Sequence, residues 1–280
     1  MTCNRLISAL LLFLLLAGGR IGLAANDAPR PHLSVPPVSV QPKMTADPAD
    51  EAWERAAVIP ALSVSLEPVT AGQAPLPTQV KLLWKSDTLY IRFVCVATEV
   101  YSPYTRHDDP LYKGDVAEVF LDAKGDGRQW IELEVSPQNV VFDQLATLTS
   151  EPHSTPDLVL DSEVIDRDWW PDLSWSLEGI RTAASIQHQN GQVCGWTVDI
   201  ALPAKVILRR LGESRFRPMT LRANFLRYDY PATGQARNPR GFLAMNWAPV
   251  LNGRPHISPR AMGYLTLAAP HAATGVSISR

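Results

Sequence analysis

Two stretches with a strict period of two, joined by a glycine-rich turn, constrain this chain most. From Asp115 to Asp122, Ala117, Val119 and Leu121 fall on one side, and Val116, Glu118 and Phe120 on the other. From Gln129 to Ser136, Ile131, Leu133 and Val135 share one side, and Trp130, Glu132, Glu134 and Ser136 the other. Such alternation belongs to antiparallel strands with one face in a core. The turn Ala123-Lys-Gly-Asp-Gly-Arg128 carries the glycines that a hairpin connection needs. The second face then presents three glutamates beside two large aromatics.

Further strands follow the same rule. Gln79–Trp84 and Thr88–Val96 pair through Lys85-Ser-Asp87, and Asn139–Ala146 is another strand. Gly179–Gln187 and Gly195–Leu202 pair through Asn190-Gly191. Pro218–Tyr228 is a long strand with Leu221, Ala223 and Phe225 facing inward, and Phe242–Trp247 and Gly263–Leu267 close the series. Pro48–Ala56, with Trp53 inward, and Pro203–Leu211 read as short helices. About ten short strands with two short helices and no helix–strand alternation define an all-β chain. The expected fold is an antiparallel β-sandwich of jelly-roll or immunoglobulin-like type.

The N-terminus constrains location. Arg5 followed by the apolar run Leu6–Leu16 and small residues near Ala24 and Ala25 reads as a signal peptide over residues 1–25. The expected location is periplasmic or secreted, with no membrane span once the signal is removed and cleavage at Ala24 or Ala25. Residues 26–45 are proline-rich and read as a linker or an arm on the domain. Residues 46–268 form the domain, and 269–280 a disordered tail. An oxidising compartment permits a Cys95–Cys194 disulfide, and two buried free thiols are the alternative. A formal net charge of −2 without a basic stripe excludes a nucleic-acid footprint.

Arg92, Glu118, Glu132, Glu134, Arg222 and Asn224 are expected on the solvent side of one sheet. Carboxylate, guanidinium and amide groups bind vicinal hydroxyls by paired hydrogen bonds, and aromatics of the Tyr101–Tyr112 loop would stack on a pyranose. A solvated charged face with weak ion pairs is the plainer reading. Glu118, Glu132 and Glu134 also have spacing compatible with a glycosidase pair, although nothing marks one acid as desolvated and another as solvated. Asp108, Asp109 and Asp115 are calcium candidates without the twelve-residue loop pattern. His107, His153 and His256 with Met219, Met245 and Met262 leave a haem b reading open, without a covalent attachment motif. No nucleophile elbow, zinc-protease motif, phosphate loop or dinucleotide fingerprint occurs. A carbohydrate is the expected ligand, protein partners stay open, and no cofactor is expected, with calcium the one candidate.

Several segments, in order, resemble carbohydrate-binding module family nine. They are the Asp50-Glu-Ala-Trp53 helix, Gln79-Val-Lys-Leu-Leu-Trp84, Thr88-Leu-Tyr-Ile-Arg-Phe93, Asp115-Val-Ala-Glu-Val-Phe-Leu-Asp122, Gly195-Trp-Thr-Val-Asp-Ile-Ala-Leu-Pro203 and His256-Ile-Ser-Pro-Arg-Ala-Met-Gly263. The resemblance runs from about Asp47 to Leu267. It implies a β-sandwich that binds glucan or xylan ends in a slot between two aromatics. Tyr112 takes the first aromatic position and His256 the second, with Trp247 as a substitute. Glu118, Glu132 and Glu134 take the polar positions. Relatives of this kind are commonly attached to glycoside hydrolases, and this chain resembles the free-standing exported ones. It is therefore expected to be a non-catalytic carbohydrate-binding protein serving carbohydrate catabolism. The wider superfamily also contains haem b electron-transfer sandwiches, and a hydrolase using the glutamate face is the further alternative.

Overall fold

The Asp115–Val135 hairpin lies at the centre of the larger of two facing sheets. The computed structural model describes residues 30–64, 74–148, 169–230, 242–248 and 262–270. Strands are numbered in chain order. The first seven are β1 (His32–Val35), β2 (Ala57–Ile59), β3 (Ser63–Val64), β4 (Thr78–Lys85), β5 (Thr88–Val96), β6 (Val116–Asp122) and β7 (Gln129–Val135). They are followed by β8 (Val141–Leu148), β9 (Trp169–Asp172), β10 (Arg181–Gln189), β11 (Gln192–Pro203), β12 (Met219–Asp229), β13 (Leu243–Asn246) and β14 (Gly263–Leu267). One sheet runs β1-β14-β12-β6-β7-β8-β9, with β13 and β3 branching from β12. The other runs β10-β11-β5-β4-β2. This is the expected all-β sandwich.

The register carries out what the alternation implies. Ala117 pairs with Val135, Val119 with Leu133 and Leu121 with Ile131. All six belong to the core between the sheets, together with Phe93, Trp196, Val198 and Phe225. The Asp122 carboxylate fixes the connecting turn by accepting from the backbone amides of Lys124, Gly125 and Gly127 at 3.0, 2.8 and 2.7 Å. Gly125 and Gly127 take positive φ, as such a turn requires. Asn190 and Gly191, both at positive φ, make the expected turn between β10 and β11.

Three expectations change. His32–Val35, assigned above to the linker, is strand β1, paired in parallel with β14. Proline-rich chain is already extended, so little rearrangement places it on a sheet edge. Cys95 is a free, buried thiol, so it is not bridged to Cys194. In the β11–β5 ladder Cys95 stands opposite Trp196, two positions from Cys194, and burial pushes its thiol up to about 12. Arg92 belongs to β5 in the five-stranded sheet, on the other side of the sandwich from the glutamates. Alternation shows which side of its own strand a residue occupies, not which sheet the strand joins.

There Arg92 has a structural role. Its Nε and Nη2 donate to the two Asp199 carboxylate oxygens at 2.6 and 2.8 Å, and Nη1 donates to the Asp47 carbonyl at 2.8 Å. Its guanidinium lies 4.7 Å from the Trp53 ring centroid. Asp199 also accepts from the Ala46 amide. The ion pair thus ties the start of the domain and its first helical turn (Glu51–Arg55, with Asp50 as N-cap) to the sheet. Asp199→Ala would leave the Arg92 charge buried and unpaired. Urea denaturation should show a loss of about 3–5 kcal/mol, and a loss below about 1 kcal/mol would contradict this role.

Candidate functional site

The outward face of the nine-stranded sheet is ordered by the same ladders. Glu118 stands opposite Glu134 on β7 and Leu226 on β12. Phe120 stands opposite Glu132 and Asn224, and Glu132 opposite Gln144 on β8. Arg222 pairs with Asp122 on one side and Tyr264 on the other. Phe120 and Trp130 pack here with Ala146, Leu148, Leu226 and Met262 as a second apolar cluster. This face was expected to be open to solvent, but Glu118, Glu132 and Glu134 are only 2%, 4% and 0% exposed. The aromatics that alternate with the acids bring their own packing partners, and so the carboxylates are buried with them.

The three glutamates have different surroundings. Glu132 accepts from the Gln144 amide, a partner that the sequence did not single out because a glutamine within a strand carries no pattern signal. Among the described residues neither oxygen of Glu134 has a hydrogen-bond partner. The Tyr112 backbone amide acts on it favourably, but from outside hydrogen-bond geometry. Glu118 has no described donor, and Glu132 is the charge acting on it. Burial, followed by the neighbouring carboxylates, holds both Glu118 and Glu134 well above the usual carboxylate range. Both are desolvated alike, so the environment does not divide them into the acid and base of a glycosidase.

The other expected ligands separate into groups. Asn224 shares this face, but its side chain holds the corner after β13: Oδ1 accepts from Ala248 N at 2.8 Å and Nδ2 donates to Ala248 O at 3.2 Å. Arg222 donates through Nε to the Met262 carbonyl at 2.9 Å and lies 4.7 Å from the Tyr264 ring centroid, bracing β14. Tyr112, in the short helical turn Leu111–Lys113 before β6, is 43% exposed, and its carbonyl accepts from the Tyr230 hydroxyl. Tyr230 stacks on Phe242 at 5.0 Å, and Phe242 contacts Tyr228. Tyr112, Tyr228, Tyr230 and Phe242 thus gather at this end of the sheet. Trp247 packs 5.5 Å from Phe225 on the core side. His256 lies outside the described residues.

The calcium candidates do not converge. Asp115 is 1% exposed and accepts from the Tyr101 and Tyr230 amides at 3.0 and 2.6 Å, and burial raises it to about 7. Asp109 accepts from the Thr105 and Arg106 amides. Asp108 instead lies beside His107 and Asp143. Of the haem candidates, the Met245 sulfur accepts from the Leu76 amide inside the core.

A family model described as carbohydrate family 9 binding domain-like matches residues 47–208, more than half of the chain. Solved structures share the fold at low identity. A Bacteroides uniformis protein described as carbohydrate-binding is 13% identical with a TM-score of 0.60, over 86% of this chain and 100% of that one. A family 9 module from Caldicellulosiruptor kristjanssonii in complex with cellotriose has a TM-score of 0.54 and 13% identity, over 89% of this chain and 100% of that one. A glucose complex of such a module from the same organism has a TM-score of 0.52 and 13% identity, over 85% and 96%. No curated protein matches.

The raised glutamates have a consequence for stability. In the folded state Glu118 and Glu134 hold their protons above the ordinary value of 4.5. Their contribution is therefore complete below that value and is lost as pH rises toward the folded values. Asp115 acts in the same direction, from 3.8 up to about 7. Urea unfolding should show stability falling from pH 5 to pH 8. Glu134→Gln should flatten that fall by up to about 1.4 kcal/mol per pH unit; an unchanged slope would show that this carboxyl is not buried as an acid.

Proposed function

The chain belongs to the carbohydrate family 9 binding domain-like family, and from that premise we propose that it is an exported, non-catalytic protein that binds poly- or oligosaccharide in support of carbohydrate catabolism. The observation that carries this reading is the pair Glu118 and Glu134. Both are buried, and neither Glu134 oxygen has a hydrogen-bond partner among the described residues. Buried acceptors without donors are costly, so a ligand rich in hydroxyl donors is favoured at this place. Sugar hydroxyls supply such donors in adjacent pairs. Tyr112, exposed beside Glu134, offers a ring for the apolar face of a pyranose. The N-terminal signal pattern supports export to the periplasm or beyond. Among the described residues no helix is long and apolar enough to cross a membrane.

The test is calorimetric titration with glucose, cello-oligosaccharides and xylo-oligosaccharides, with Trp130 on the glutamate face as a fluorescence reporter. Binding should saturate in the wild type. Glu118→Gln and Glu134→Gln, which keep the shape, should each weaken it by about 0.5–1.5 kcal/mol, and Tyr112→Ala should weaken it by about 1 kcal/mol. Absence of heat and of fluorescence change at millimolar sugar would overturn the proposal.

A further inference from the structure

A separate cluster lies where the loop before the Leu111–Lys113 turn meets β8. His107 Nδ1 is 2.9 Å from Asp108 Oδ2, and His107 Nε2 is 3.5 Å from Asp143 Oδ2. Asp143 is 1% exposed. Its Oδ1 accepts from the Leu177 amide at 3.2 Å, whereas its Oδ2 has no hydrogen-bond partner among the described residues. A neutral imidazole has one donor nitrogen and one acceptor nitrogen. In the tautomer that carries its proton on Nδ1, on the Asp108 side, the Nε2 lone pair faces Asp143 Oδ2, which no other described residue reaches as a donor. Two acceptors facing each other call for a cation between them.

We propose that His107 Nε2 and Asp143 Oδ2 bind a divalent transition metal ion of the zinc type, with Asp108 orienting the imidazole through Nδ1. The distances fit such an ion. Bonds of about 2.1 Å from each ligand, across the observed 3.5 Å, subtend about 113° at the metal, near the tetrahedral angle that zinc prefers. A carboxylate on the other ring nitrogen is the usual support of a metal-binding histidine. An imidazole ligand selects against calcium and magnesium, which take oxygen. His107 is 50% exposed and Asp108 44%, which leaves a path for the ion and room for water as the remaining ligands.

The backbone sets the two ligands before metal arrives. The Asp108 amide donates to the Val141 carbonyl at 3.0 Å, and the Asp143 amide approaches Asp108 Oδ1 at 3.5 Å. Asp108 takes a positive φ of 65°, which turns the loop back toward β8. A bound ion would fasten this loop, which leads into Tyr112, to the sheet. The site does not depend on the glutamate face or on any sugar.

The test is calorimetric titration of the metal-free protein with zinc chloride, with calcium chloride as comparison. One zinc ion per chain should bind saturably, and calcium should give no saturable heat. His107→Gln and Asp143→Asn should each lose zinc binding at least tenfold, and Asp108→Asn should weaken it about tenfold. At zinc about 100-fold above the dissociation constant, Tm should rise by roughly 5 °C in the wild type but not in His107→Gln. Zinc binding that persists in His107→Gln would place the ion on other histidines and overturn the proposal. Absence of saturable heat up to millimolar zinc would overturn it too, leaving a proton as the bridging cation. His107→Gln alters a half-exposed loop side chain, so it remains informative if Asp143→Asn fails to fold.

Discussion

The amides of Lys124, Gly125 and Gly127 converge on the Asp122 carboxylate, and the register of β6 against β7 depends on that turn. Side chains alternate with a period of two, so a slip by one residue would exchange the faces. Val119 and Leu133 would leave the core, and Glu118 and Glu134 would enter it. β12 adds Asn224 and Arg222 beside β6, and β8 adds Gln144 beside β7, each in a register that follows from the central pair. The outward face thus becomes an ordered array of acids, amides and aromatics.

The disposition of charge separates supporting groups from the candidate site. Asp199 is answered by Arg92, and Asp229 by Arg227. Asp115 is answered by two backbone amides, and Asp122 by three. These carboxylates fasten loops and termini to strands, and their hydrogen bonds offset the desolvation that burial imposes. Glu118 and Glu134 are buried as deeply without such donors among the described residues. The fold thus carries a desolvation cost at these two acids that the other buried carboxylates offset with donors.

The sequence made the outward face legible because alternation in β6, β7 and β12 orders side chains locally. It did not reveal that the face is buried, because that depends on how Phe120 and Trp130 pack with Met262 and Leu226 across several strands. Arg92 and Arg222 look equivalent in the sequence: each is a polar position in an alternating strand. One pairs with Asp199 in the five-stranded sheet, and the other braces Met262 and Tyr264 in the nine-stranded one. Cys95 repeats the lesson, since a residue at a suitable position along the chain faces a partner only if the register brings the two opposite one another.

The sequence by itself determined the all-β class, the hairpins, the inward sets of β6, β7 and β12, and the family resemblance. These rest on period-two patterning, turn residues and short motifs, all read within a few positions of one another. Only the tertiary structure decided which strands share a sheet, which acids have donors, that residues 32–35 complete an edge, and that His107 meets Asp143 across 36 positions. Such contacts are set by strand order and register over long separations, and local alternation is the same whichever neighbour a strand finally takes.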